Sequence, residues 1–179
     1  VAKIDSVKIV FRPIGKIDDH IMAQLAERLG TIFGCPTEIV PLSFDLTRAY
    51  DARRGQYHAA SIIDQLKSQR RAKDEKVLGI VDVDLYAPHL NFVFGQADIA
   101  SGTAVISLCR LRQEFYGLPE DRSLLLERAT KEAVHELGHL LSLGHCPETK
   151  CVMHFSNSLD DTDWKQAAFC NRCQPKLIN

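Results

Sequence analysis

A layered α/β (α+β) domain is predicted by three features of the sequence. Strand-period and helix-period segments alternate through the first part of the chain, one long helix of strong propensity runs from Arg122 to Leu143, and four of six cysteines crowd into the last 34 residues. With 179 residues the chain is long enough to bury one core without disulfide staples. Lys and Arg number 22 against 23 Asp and Glu, with 45% hydrophobic and 25% charged residues, so the basic excess of a generic nucleic-acid or anionic-membrane binder is missing. No uncharged apolar stretch reaches the roughly 18 residues of a membrane span. Val1 to Ile9 lacks the basic, apolar, small-residue order of a secretory signal. A soluble, cytoplasmic monomer without nucleic-acid or membrane partners is therefore expected.

Val7, Ile9 and Phe11 alternate with Lys8, Val10 and Arg12, which predicts a strand with one wetter face, ended by Pro13-Ile14-Gly15. Asp18 and Asp19 stand where an N-cap and first turn belong. Ile21, Met22, Leu25, Leu29, Ile32 and Phe33 follow at helical spacing up to Gly34. Val40, Leu42, Phe44 and Leu46 fall on one side of a second predicted strand, and Arg48 to Arg54 reads as an exposed connection. A second helix carries Ala59, Ala60, Ile62, Ile63 and Leu66, with the basic tail Lys67 to Lys73 suiting its C-terminus. Lys76 to Tyr86 has the Val, Ile and Leu content of a strand buried on both faces, interrupted by Asp82 and Asp84, for which strand-end caps are the ordinary role. Asn91 to Gln96 and Thr103 to Leu111 complete the strands.

In the third helix, Leu126, Ala129, Ala133, Leu137 and Leu140 form one apolar stripe, and His135 and His139 point away from it. Their i, i+4 spacing stacks two imidazoles on one face, close enough to share an ion. His135-Glu136-Leu137-Gly138-His139 is the H-E-x-x-H pattern, two nitrogen ligands with a carboxylate able to reach a water on the metal; two surface histidines are the bland alternative. His145 follows Gly144, where the helix can stop and the chain fold back towards the first two rings. Three imidazoles leave a tetrahedral zinc one open position, the arrangement of a hydrolytic site.

Cys146-x4-Cys151 and Cys170-x2-Cys173 are two knuckle-like pairs that can close on one structural zinc and pin the tail under the helix. Two disulfides or four free thiols are the alternatives, less suited to a chain without a secretory signature. Cys35 and Cys109 stand apart and read as small buried hydrophobes.

From His135 to Cys173, the order H-E-x-x-H, a third His, Cys-x4-Cys-x-Met and Cys-x2-Cys resembles the signature of the archaemetzincins, metzincin-type zinc peptidases. Val83 to Tyr86, Asn91 to Gly95 and Ile106 to Leu108 also resemble strands of that family. The resemblance implies a metzincin-like fold. A twisted mixed sheet and the active-site helix would occupy residues 1–144, and a zinc-stapled part with a Met-turn residues 145–179, within one domain. It implies two zinc ions, a catalytic one on His135, His139 and His145 and a structural one on Cys146, Cys151, Cys170 and Cys173. It further implies that Glu136 is the general base and that Met153 lies beneath the metal; gap-filling is Met153's bland alternative.

This chain departs from the family pattern twice. Ser142 stands where a turn-making Gly is usual, which costs roughly 1 to 2 kcal/mol if its φ is positive. The 16 residues between Met153 and Cys170 are one fewer than the pattern, shortening a loop around Asp160 to Asp163.

The predicted activity is peptide-bond hydrolysis by a zinc-activated water, with a peptide or protein substrate lying along Asn91 to Gln96 as a sheet edge. His154, next to Met153, is a candidate for transition-state stabilisation. The rivals are a noncatalytic zinc-knuckle interaction module and a regulatory protein with a closed three-histidine site. Lys150, Lys165 and Arg172 against Glu148, Asp160, Asp161 and Asp163 speak against phosphate binding by the knuckle.

Overall fold

The alternation at Val7 to Arg12 does produce a strand, β1 (Lys8–Pro13), but it lies inside a sheet and is buried on both faces. The computed structural model describes residues 7–177. Arg12 is therefore buried where a wetter face was expected, and its guanidinium donates to the carbonyls of Val40 (3.3 Å) and Gln69 (3.1 Å). α1 (Asp19–Phe33) has the predicted ends. The Asp18 side chain accepts from the amides of His20 and Ile21, and Gly34 takes the left-handed conformation (φ 63°) that closes the last turn.

β2 is Thr37–Ile39, earlier than the predicted Val40 to Leu46. The amide of Val40 still donates to Phe11 (2.9 Å), and Pro41, which has no N–H, ends the pairing. Leu42 and Phe44, from an irregular segment, and Leu46, at the start of a 3-10 turn, pack against the core, so their alternation reported burial and not a ladder. The stretch from Arg48 to Arg54, expected to be a plain connection, carries β3 (Tyr50–Asp51), which pairs antiparallel with β4 (Gln56–His58). α2 (Ala59–Leu66) follows directly.

β5 (Glu75–Val81) ends before Asp82, and β6 (Leu85–Tyr86) belongs to the small sheet with β4. The predicted single strand is thus split, because Asp82 and Asp84 turn outward to bidentate pairs with Arg112 and Arg110. β7 (Gly95–Asp98) and β8 (Thr103–Ser107) complete the main sheet, whose order is β2-β1-β5-β8-β7. Four strands are parallel, and β7 runs antiparallel at one edge. Only Gly95 and Gln96 of the predicted edge Asn91 to Gln96 lie in it. Asn91 to Phe94 is irregular, held by a Leu85–Val93 bridge and by Ser107 donating to Phe94.

Helices cover both faces of the sheet, which is why its strands are apolar on both sides. Ile9, Phe11, Leu78, Ile80, Ala104 and Ile106 share a core with α1 and with α3 (Arg122–Leu140). Ile14, Val81 and Val105 pack against α2. No helix among the described residues is long and apolar enough to cross a membrane.

α3 is capped by Asp121, which accepts from the amide of Leu124 (2.9 Å), and it is buried on nearly every side. The side away from its apolar stripe is covered by the C-terminal segment and by α4 (Leu159–Trp164), whose capping box joins Ser158 and Asp161. Arg128 grips Asp163 through two hydrogen bonds (2.7 and 2.6 Å), and Lys131 donates to the Asp163 carbonyl. Arg128→Met is expected to lower the unfolding free energy by about 1 to 3 kcal/mol in urea, since it leaves Asp163 and the Leu111 carbonyl without their donor.

Candidate metal centre

The last two turns of α3 bring His135 and His139 together, with ring centroids 4.6 Å apart. The helix stops at Leu140. Ser142, at φ 67°, takes the left-handed turn that reverses the chain, and the amide of Leu143 closes it on the Gly138 carbonyl. The reversal therefore falls at Ser142 and not at Gly144. It delivers His145 to the other two rings, at 5.4 Å from His135 and 4.8 Å from His139. One ring nitrogen of each histidine lies within 4.8 Å of the others.

The hydrogen bonds fix which nitrogens face inward. His135 Nδ1 lies 2.7 Å from the Val152 carbonyl and His139 Nδ1 2.8 Å from the Leu143 carbonyl, so each Nδ1 carries the proton and donates it. The two Nε2 lone pairs are then left 3.1 Å apart, and two acceptors cannot bond each other. A cation relieves that contact. Two nitrogens on a tetrahedral zinc with ordinary bond lengths stand roughly 3.3 Å apart, so the donor set fits the ion. Burial holds all three imidazoles below their ordinary pKa, in the neutral form a metal requires.

Glu136 is buried between α3 and the first residue of β7. A Cβ at Gly95 would come within 2.8 Å of Glu136 Cγ and Oε1, so only glycine leaves this carboxylate room. Burial, reinforced by Glu132, holds the Glu136 carboxyl well above the usual range, against the pull of Lys165. The role of Gly95 was not read from sequence, where its only mark was a glycine opening a strand.

Met153 is fully buried, with its Sδ against Gly138 of α3. A Cβ at Gly138 would run into its Sδ, so the glycine inside the motif is the floor on which Met153 rests. The Met153 carbonyl accepts from the amide of Cys146 (2.9 Å), and His154 donates Nδ1 to the Cys146 carbonyl (3.0 Å), which makes His154 a brace of this loop.

The four cysteine sulfurs of Cys146, Cys151, Cys170 and Cys173 also lie within 4.8 Å of one another. Cys146 and Cys170 Sγ are 3.7 Å apart, too far for a disulfide and close to the roughly 3.8 Å between thiolates on a tetrahedral zinc. Although burial pushes the Cys170 thiol up, the amides of Arg172 and Cys173 and its neighbouring thiols bring it down to about 6. Cys35 is buried among apolar residues, and Cys109 is pushed up to about 11 by burial and by Asp84 and Asp82. Neither joins the cluster.

A cavity of about 190 Å³ opens beside His135, between α3, the segment Leu90 to Gly95, and Phe155 to Asn157. The two ligand clusters and this cavity share one short stretch of chain, since His145 precedes Cys146 and Val152 lies between Cys151 and Met153.

The profile of Peptidase family M54 matches residues 34–179. The chain is 43% identical to the archaemetzincin of Methanocaldococcus jannaschii over 171 residues, covering 96% of this chain and 93% of that protein. It is 47% identical to the archaemetzincin of Pyrococcus furiosus over 176 residues, covering 94% and 91%. The crystal structure of a zinc-dependent peptidase from Methanocorpusculum labreanum is similar at a TM-score of 0.88 and 32% identity, covering 94% of this chain and 99% of that one.

Two substitutions test the local geometry. Gly138→Ala is expected to destabilise the protein by about 1 to 3 kcal/mol by displacing Met153, and to lower zinc content by loosening the Val152 carbonyl from His135. Ser142→Gly is expected to raise stability by about 1 kcal/mol in thermal unfolding, because glycine takes the left-handed turn without strain.

Proposed function

The chain belongs to peptidase family M54, the archaemetzincins, and is a zinc metallopeptidase; on that premise we propose that His135, His139 and His145 hold a catalytic zinc and that Glu136 is the general base. The observation that carries this reading is the pair of Nε2 lone pairs held 3.1 Å apart by carbonyls that fix both Nδ1 protons. When bound, zinc supplies Lewis acidity that polarises a peptide carbonyl and lowers the pKa of an attacking water.

Glu136 takes the proton of that water and passes it to the leaving amine. Its burial supports the role, since a carboxylate withdrawn from solvent has a raised proton affinity. Gly95 keeps the carboxylate in place against β7. The outer side of β7 is a sheet edge whose backbone groups suit an extended peptide, so the substrate strand is placed there. A second, structural zinc on Cys146, Cys151, Cys170 and Cys173 ties the segment that follows α3 to the C-terminal segment, closing residues 146–173 on themselves. It stabilises the loop from which Val152 orients His135.

Glu136→Ala is expected to lower peptide turnover by about 10² to 10⁴-fold with zinc content unchanged, measured by mass spectrometry on a mixed peptide library. A variant as fast as wild type removes Glu136 from the role. Cys170→Ser is expected to lose one of two zinc ions in metal analysis and to weaken zinc at the histidines by about 10 to 100-fold, because the orienting carbonyl is loosened. His139→Ala should lose the other ion; two ions retained in either variant sinks the two-site assignment.

A further inference from the structure

One buried ion pair beside the cavity has no part in the mechanism above. Glu132 lies one turn before Glu136 on α3, is 3% exposed and lines the cavity. Its Oε1 accepts a hydrogen bond from Thr162 Oγ1 at 3.1 Å and forms an ion pair with Lys165 Nζ at 2.9 Å. Both contacts fall on Oε1, which leaves Oε2 as the carboxylate oxygen available on the cavity side. Lys165 is 0% exposed and stands behind Glu132, outside the cavity lining.

We propose that the Glu132–Lys165 pair determines substrate specificity: it closes the cavity with a charge-compensated wall that accepts hydrogen bonds. The wall selects, at one position flanking the cleaved bond, an uncharged side chain with a donor at its tip, such as the carboxamide of Gln. This rests on the peptidase reading above. Phe92, Phe94 and Phe155 line the cavity and suit the apolar stem of such a side chain. At the far end, Glu132 Oε2 accepts the carboxamide N–H. Ser156 Oγ, which lines the same cavity and is buried without a partner, donates to the carboxamide oxygen.

The competing side chains each meet an obstacle. A Lys tip brings a second ammonium towards Lys165, whose charge already offsets Glu132, while the Glu136 carboxylate is committed to the attacking water. A Glu tip meets the carboxylates of Glu132 and Glu136. A Leu side chain expels water and leaves Oε2 and Ser156 Oγ buried without partners, the costly way to fill a polar pocket. Attachment of α4 to α3 does not account for the pair, since Arg128 and Lys131 already bind Asp163 and neither contact needs an oxygen open to the cavity.

Binding of peptide hydroxamates to the zinc-loaded protein, measured by calorimetry, tests this without requiring turnover. Two series are needed, with Leu, Gln, Lys or Glu on the acyl side or on the amine side of the hydroxamate. In one series the Gln compound is expected to bind at least about tenfold tighter than the other three. Lys165→Met, which bares the Glu132 charge, should move that preference to Lys; Glu132→Gln, which bares the ammonium, should move it to Glu. The opposite directions make either variant informative if the other fails to fold. Binding indifferent to the side chain in both series, a wild-type preference for Leu, Lys or Glu, or variants that keep the wild-type order overturns the proposal and leaves the metal centre intact. Failure of every hydroxamate to bind overturns the metal-centre reading and this one with it.

Discussion

The hydrogen bond from His135 Nδ1 to the Val152 carbonyl is the contact on which the rest of the site depends. It joins α3 to the loop that also carries Cys151 and Met153, and it leaves Nε2 as the imidazole nitrogen free for a metal. Because Val152 is buried and its own amide donates to the Ala168 carbonyl, the acceptor is held from both sides. The arrangement is a candidate metal site whose orienting shell is backbone, with a second candidate cluster of four cysteines a few residues away.

Burying so much of α3 has an electrostatic consequence. Arg128, Lys131, Glu132, His135 and Glu136 are all 5% exposed or less, and isolated charges in that setting would cost several kcal/mol each. Arg128 meets Asp163, and Glu132 meets Lys165, so two of the charges are neutralised by the C-terminal segment that buries them. Burial favours the neutral form of the histidines, and Glu136 lines the cavity. The same segment thus supplies packing, charge compensation and the carbonyl that aims His135.

Elements with a local cause were legible from sequence. Asp18 and Gly34 bound α1 because capping needs only neighbouring atoms, and the i, i+4 histidines share a face because helix geometry requires it. Misreadings arose where partners were distant. Leu42, Phe44 and Leu46 alternate as a strand would, yet Pro41 has already ended the pairing with β1. Asp82 and Asp84 looked like interruptions of one strand, whereas Arg112 and Arg110, some 30 residues later, draw them outward and divide it between two sheets. Arg12 looked solvent-facing because its acceptors, the carbonyls of Val40 and Gln69, leave no trace in side-chain type.

The sequence by itself determined the inventory of candidate groups: three histidines and four cysteines able to hold metal, and one carboxylate beside the first histidine. Tertiary structure alone decided how those groups are aimed and what surrounds them. The Nδ1 acceptors are backbone carbonyls, Gly95 matters because β7 passes against Glu136, and Glu132 is compensated by a lysine 33 residues away. Spacing along a chain constrains only neighbours within a turn or two. Burial and the pairing of charges are properties of surfaces brought together from far apart, so they come into being only when the fold closes.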